Sequence, residues 1–138
     1  MGKTIIVYWS GTGNTEAMAN AVSEGAPDAK LVTVSETSAD EVLSYDNIIM
    51  GCPAMGAEVL EEDEMEPLMV AIEGALSGKN VGLFGSYGWG DGTWMHDWED
   101  RVKASGANLV TDGVMANEAP DDDVLAQCVE LGKMTASL

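Results

Sequence analysis

The sequence predicts an α/β fold, a doubly wound parallel sheet of five strands with helices on both faces. Two observations carry this reading. Short apolar runs recur along the chain without alternating apolar and polar positions, the pattern of strands buried on both faces. Between successive runs lie helix-forming stretches, and strict alternation of strand and helix implies right-handed crossovers within one parallel sheet.

In chain order, the spacing predicts strands over residues 4–9, 30–34, 47–51, 81–85 and 109–115, the last interrupted at 111–113. Helices are expected over 14–24, 38–43, 64–76, 93–104 and 122–136. Ser38-Ala39-Asp40-Glu41 has the spacing of a capping box, in which hydroxyl and carboxylate satisfy each other's backbone amides. Asp91 or Gly92 can open the fourth helix, and Gly25-Ala26-Pro27 and Ser77-Gly78 are helix stops. Nothing in the sequence reads as a repeat, linker or low-complexity tract, so residues 1–138 are expected to form one domain. Folds of this class hold ligands at the carboxyl ends of the strands, where the strand order reverses. The segments leaving those ends are residues 10–15, 52–58, 86–91 and 116–120.

Composition narrows the partners. Twenty-four acids against six bases give a net charge of −18, which repels nucleic acid and anionic membranes and favours a partner with a basic face. No apolar stretch approaches the roughly 18 residues of a membrane span, and the first residues lack the basic start and cleavage site of a secretory signal. N-myristoylation needs Ser or Thr at the position Ile6 occupies. A cytoplasmic protein is expected, and its charge argues for a monomer. Cys52 and Cys128 lack the Cys-x-x-Cys spacing of metal and dithiol sites and read as small buried residues, and no metal site is expected.

The first loop, Ser10-Gly11-Thr12-Gly13-Asn14-Thr15, enters a helix, so its backbone amides and the helix dipole favour an anion, with phosphate the natural guest. Three hydroxyls and an amide add donors, and the glycines allow close approach. Nucleoside triphosphate loops need a lysine that is missing here, and the dinucleotide motif needs a third glycine where Glu16 stands. What remains is a single terminal phosphate held by neutral donors, or a capped turn with no ligand. The loop after the fourth strand, Ser86-Tyr87-Gly88-Trp89-Gly90-Asp91-Gly92, sets two aromatics among glycines; Trp89 either covers a flat ligand or closes the core. Trp94 and Trp98, one helical turn apart, read as packing. Pro53-Ala54-Met55-Gly56-Ala57-Glu58 reads as a turn in which Met55 can lie against a ring, and Glu58 precedes the acidic run Glu61, Glu62, Asp63, Glu64 and Glu66.

The stretches "VYWSGTGNTEAMA", "GCPAMG", "EVLEEDEMEP", "LFGSYGWGDGTWM" and "NEAPD" together resemble the short-chain flavodoxins, in particular those of anaerobic bacteria, and the resemblance covers nearly the whole chain. It implies a flavodoxin-like sheet of order 2-1-3-4-5 and a low-potential one-electron carrier that uses the semiquinone/hydroquinone couple of bound FMN to shuttle electrons between redox enzymes. It implies no enzymatic activity. By resemblance, Ser10, Thr12, Asn14 and Thr15, with the backbone of Gly11 and Gly13, hold the phosphate. Met55 covers the inner flavin face and Trp89 the outer, in loops that include Pro53 and Ala54. Glu58 accepts from the pyrimidine-side N–H, and Gly56 offers the carbonyl that bonds the ring nitrogen protonated on one-electron reduction. Ser86, Tyr87, Gly88 and Gly90, with Ala116 and Asn117, line the ring edge and ribityl chain. The sequence departs from the family in a shortened stretch over 22–30 and in Ala57, where many relatives carry a turn former.

Acidic surroundings suit a low-potential donor. At about 10 Å in a water-like dielectric each acid opposes an added electron by about 0.4 kcal/mol, or about 20 mV, before salt screening. A phosphate-accepting receiver domain shares this sheet but needs clustered carboxylates where this strand ends in Trp9-Ser10. An FMN enzyme acting directly on a nicotinamide or quinone is the alternative; it needs room over the ring, which Trp89 fills. His96 and both cysteines are expected to be structural.

Overall fold

The computed structural model describes residues 2–11, 13–55, 59–88 and 90–138. The most apolar runs lie in the middle of the sheet. β1 (Thr4–Tyr8) and β3 (Asn47–Gly51) are buried at every position, and they pair in parallel from Thr4 opposite Asn47 to Tyr8 opposite Gly51. β2 (Lys30–Thr33) flanks β1 on one edge, and β4 (Asn80–Tyr87) flanks β3 on the other. The helices between them are α1 (Asn14–Gly25), α2 (Ala39–Leu43) and α3 (Met65–Ile72). After β4 come α4 (Thr93–Ala104), the two short strands β5 (Asn108–Leu109) and β6 (Val114–Asn117), and α5 (Asp122–Ala136).

The expected order 2-1-3-4-5 is found, with its last place shared by two pieces. β5 pairs with the start of β4 and β6 with its end, so the interruption expected at 111–113 divides one strand into two. The Gly113 amide leaves the ladder there and donates to the Glu99 carboxylate at 2.6 Å. Several boundaries differ from the sequence expectation. Ser86 and Tyr87, expected in a loop, belong to β4, because β6 offers Ala116 and Asn117 as ladder partners. The first strand stops at Tyr8 rather than Trp9, although the Trp9 amide still donates to Gly51 O at 3.0 Å. Val34 lies outside β2 in a short 3₁₀ turn, and the capping box is found here, between Thr33 and Glu36. At Ser38 only half the expected box forms: Ser38 Oγ accepts from the Glu41 amide, while the Glu41 carboxylate takes Thr37 Oγ1 and Lys30 Nζ instead. α3 is shorter than expected and gives way to a 3₁₀ turn at Glu73–Ala75.

Strand alternation sends side chains into two cores. Ile5, Val7, Ile48, Met50, Val81 and Leu83 face α3 and α4, where Met69, Ile72, Trp94, Trp98 and Val102 meet them. Ile6, Tyr8, Ile49 and Phe84 face Met18 and Val22 of α1 and Cys128 and Leu131 of α5. Each fully buried aliphatic or aromatic side chain contributes about 1.5–3 kcal/mol. Trp94 and Trp98 are buried packing residues, as their spacing implied, and both cysteines are buried free thiols.

A row of polar side chains crosses the amino end of the sheet. Asn108 Nδ2 donates to Asn80 Oδ1 at 2.9 Å, Asn80 Nδ2 to Asn47 Oδ1 at 2.9 Å, and Asn47 Nδ2 to Thr4 Oγ1 at 3.2 Å. These residues are ladder partners on β5, β4, β3 and β1. Among the described residues no helix is long and apolar enough to cross a membrane.

Candidate functional site: four loops at the carboxyl edge

The first loop is organised by one hydroxyl. Ser10 Oγ accepts from the Gly13 amide at 3.1 Å and the Glu16 amide at 3.2 Å, which folds the loop onto the first turn of α1 and leaves the hydroxyl proton for another acceptor. Gly13 caps the helix at φ 95°, a backbone geometry that favours glycine. Gly11 lies on the Trp9 ring, where a Cβ would come within 3.1 Å of it. Among the described residues neither the Asn14 nor the Thr15 amide has an acceptor, and both lie in the first turn of α1, the positive end of the helix dipole. Thr12 lies outside the described residues.

The Thr15 side chain does something the sequence does not announce. It is buried, and its Oγ1 bonds Ser86 Oγ at 3.3 Å, joining the first loop to the end of β4. On the other side of β4 the chain leaving β3 stays alongside it: Cys52 N donates to Phe84 O at 3.1 Å and Ala54 N to Ser86 O at 2.9 Å. The approach is close enough that a Cβ on Gly85 would lie 2.1 Å from Cys52 O. The same carbonyl accepts from Trp94 Nε1 at 3.1 Å. Pro53, Ala54 and Met55 are thereby held at the edge, and an isolated antiparallel bridge from Met55 N to Val59 O, 3.0 Å, closes the turn between them. Gly56, Ala57 and Glu58, within that turn, lie outside the described residues.

In the third loop Tyr87 ends β4 with its ring 5.6 Å from that of Trp94, the planes tilted by 47°. Gly88 and Gly90 are exposed, and Trp89 between them lies outside the described residues. Asp91 and Gly92 both open α4, the carboxylate accepting from the Thr93 amide at 3.2 Å and Gly92 taking the cap position. In the fourth segment Ala116 is buried and Asn117 exposed. Next to them Glu118 has φ 59°, rare for a residue with a side chain, and its amide donates to Tyr87 O at 2.6 Å. The loop residues singled out in sequence and described here, from Ser10 to Asn117, therefore gather at one edge of the sheet. Sequence reasoning missed Glu118, which carries no turn signal, and Glu61, which hides in an acidic run yet is buried. Only its position four residues before Met65, where α3 begins, hinted at a cap.

Charge at this edge is negative or neutral. Tyr8 OH donates to Glu16 Oε2 at 3.3 Å, and burial together with that carboxylate raises the phenol above its usual range. Burial likewise pushes the Cys52 and Cys128 thiols up to about 12, which keeps them protonated and unreactive. A concavity of about 660 Å³ lies at the opposite edge beside Lys3, Lys30 and Lys133, and none of the residues of the four carboxyl-edge loops lines it. Its lysines stand near the ends of α1 and α5, where cations complement helix C-termini.

Among the described residues the first loop brings neutral hydroxyls to a helix N-terminus, a setting that suits an anion. The class is a doubly wound parallel α/β domain, a fold that holds ligands at the strand switch point. Comparisons then identify the family. The flavodoxin family profile matches residues 6–132. A flavodoxin of Clostridium beijerinckii is 47% identical over 96% of this chain and 99% of its own length, and one of Megasphaera elsdenii is 48% identical over 95% and 96%. The solution structure of two-electron reduced Megasphaera elsdenii flavodoxin superposes with a TM-score of 0.89, at 45% identity, covering 98% of this chain and 99% of that one. The chain belongs to the flavodoxin family, whose members bind FMN and carry electrons to redox partners rather than act as enzymes.

Proposed function

We propose that residues 1–138 form a single FMN-binding domain and that its four carboxyl-edge loops hold the cofactor of a low-potential one-electron carrier. Bound FMN supplies the redox chemistry, taking and releasing electrons one at a time. The observation that carries the reading is the neutral first loop, gathered by Ser10 and tied to β4 through the Thr15–Ser86 hydroxyl pair. In this site the α1 amides, Ser10, Thr12, Asn14 and Thr15 bind the phosphate. Met55 and Trp89 enclose the ring and exclude water from it. Glu58 accepts a hydrogen bond from the pyrimidine-side N–H, and the Gly56 carbonyl accepts one from the ring nitrogen that is protonated on one-electron reduction. Ser86 to Gly90, Ala116 and Asn117 orient the remaining ring edge and the ribityl chain.

The distribution of charge supports redox partners with basic docking faces. Five of the six cations lie away from the cofactor edge: Lys3, Lys30 and Lys79 at the starts of β1, β2 and β4, Lys103 in the last turn of α4 and Lys133 in the last turn of α5; Arg101 is paired with Glu66 and Glu73 and lines a cavity with Val59 and Leu60. Helices in a parallel sheet run back against the strands, so those last turns share the amino edge. Glu16, Asp91, Glu118 and Asp121 leave the carboxyl ends. The molecule is therefore a charge dipole, and a basic partner draws its cofactor edge forward. The same net charge supports a monomer, since like-charged copies repel one another. Anaerobic titration of the purified yellow protein tests the proposal. Dithionite is expected to carry it through a stable half-reduced form while NAD(P)H alone leaves it oxidised; direct reduction by NAD(P)H would overturn the carrier reading.

A further inference from the structure

Glu61 is the second residue after the bridge that closes the Met55–Val59 turn, and it is 4% exposed. Its Oε1 accepts from the Asp63 amide at 2.5 Å and the Glu64 amide at 3.2 Å; Oε2 accepts from Glu64 at 2.9 Å and Met65 at 3.1 Å. Its own amide donates to Cys52 Sγ at 3.3 Å, and its carbonyl accepts from the Glu66 amide at 2.8 Å. One residue thus joins the end of β3 to the start of α3. Glu64, whose amide it holds, accepts from Trp9 Nε1 at 3.3 Å, beneath Gly11 of the first loop.

We propose that Glu61 is a positioning residue for the cofactor. Through Cys52 it fixes where the turn's return strand docks, and through the Glu64–Trp9 bond it sets that turn against the phosphate loop. A buried carboxylate serving three amides allows one geometry, whereas water would allow many. The carboxamide of glutamine has nearly the same volume but offers one oxygen, and its NH₂ would face an amide donor. The inference rests on the reading of the Met55–Val59 turn as a flavin loop.

The test compares Glu61→Gln with Glu62→Gln, which removes the same charge from an exposed neighbour outside the brace. In a redox titration, the equilibrium constant for forming half-reduced flavin from its oxidised and fully reduced forms is expected to fall about tenfold in Glu61→Gln, the scale of one charge-assisted hydrogen bond. In Glu62→Gln it should change less than about threefold, as a screened surface charge implies. Equal changes in the two variants would reduce Glu61 to a charge and overturn the proposal. Amide exchange in the apoprotein provides a reading independent of flavin: the Met55 and Met65 amides should exchange faster in Glu61→Gln, and unchanged exchange also overturns it. A protein that bound no FMN would refute the flavin reading while this second measurement still decided the brace. If Glu61→Gln does not fold, Cys52→Ala removes the acceptor of the Glu61 amide, along with the thiol's own bond to Pro53 O; it should accelerate Met55 exchange and lower the same constant, and no change in either would be decisive against the proposal.

Discussion

Gly85 is where the cofactor edge is least tolerant of added volume. In Gly85→Ala the new methyl would lie 2.1 Å from Cys52 O and 3.1 Å from the Trp94 ring. An ordinary contact is about 3.5 Å, so β3 and β4 must part by on the order of 1 Å. The ladder bonds on either side, Cys52 N to Phe84 O and Ala54 N to Ser86 O, resist that movement, and the Trp94 Nε1 bond to Cys52 O would be lost. Overpacking costs about 1–3 kcal/mol and a lost hydrogen bond about 1 kcal/mol, so the apoprotein should be destabilised by about 2–4 kcal/mol. For a domain of this size each kcal/mol lowers Tm by about 3–4 °C, giving a fall of about 6–16 °C. Circular dichroism melts of the apoprotein measure this, and fluorescence titration should find FMN bound more weakly as Pro53, Ala54 and Met55 shift. A Tm within about 2 °C of wild type, with affinity intact, would refute the claim that this close approach sets the site.

Ser10→Ala removes the acceptor of two amides, and FMN affinity should fall about five- to tenfold, or about 1–1.4 kcal/mol. Riboflavin, which lacks the phosphate, should bind both proteins alike in the same titration. Ala57→Gly should raise the population of half-reduced flavin by up to about fivefold if reduction requires positive φ at position 57, which costs a residue with a side chain about 1 kcal/mol more than glycine; an anaerobic titration reads it directly. A thiol reagent at pH 8 should modify Cys52 and Cys128 only after unfolding. Because burial raises both thiols to about 12, the folded state holds protons that the unfolded chain releases above its ordinary thiol pKa of about 8.5. Stability should therefore fall as pH rises from there, less steeply when both cysteines are replaced by alanine, as urea midpoints at successive pH values will record.

The elements most legible in the sequence were those specified locally. β3 and α4 begin and end where pattern and breakers placed them, because the apolar run of one and the Asp91-Gly92 start of the other need no distant partner. β4 was underread by Asn80, Ser86 and Tyr87, since their strand geometry depends on β5 and β6, which arrive about thirty residues later. The turn into α1 was legible from its glycines, since Gly13 takes the cap position there. The Thr15–Ser86 bond and the burial of Glu61 were not: each is a pairing across the fold that no local period encodes.

The polar row across Thr4, Asn47, Asn80 and Asn108 bears on how this fold tolerates length change. It sets a common origin from which β1, β3 and β4 are measured, because a slip by one residue would break the side-chain bonds and turn every apolar residue to the wrong core. Insertions in loops at the amino edge leave the span from that origin to the cofactor edge untouched. Deletion of one residue within β4, between Asn80 and Phe84, would carry Ser86 out of step with Thr15 while leaving both residues in the sequence. Spacing along the strands thus matters to the cofactor edge as the loop residues do, and a variant library that varies loop length at the amino edge alone should retain far more flavin-coloured clones than one that varies strand length.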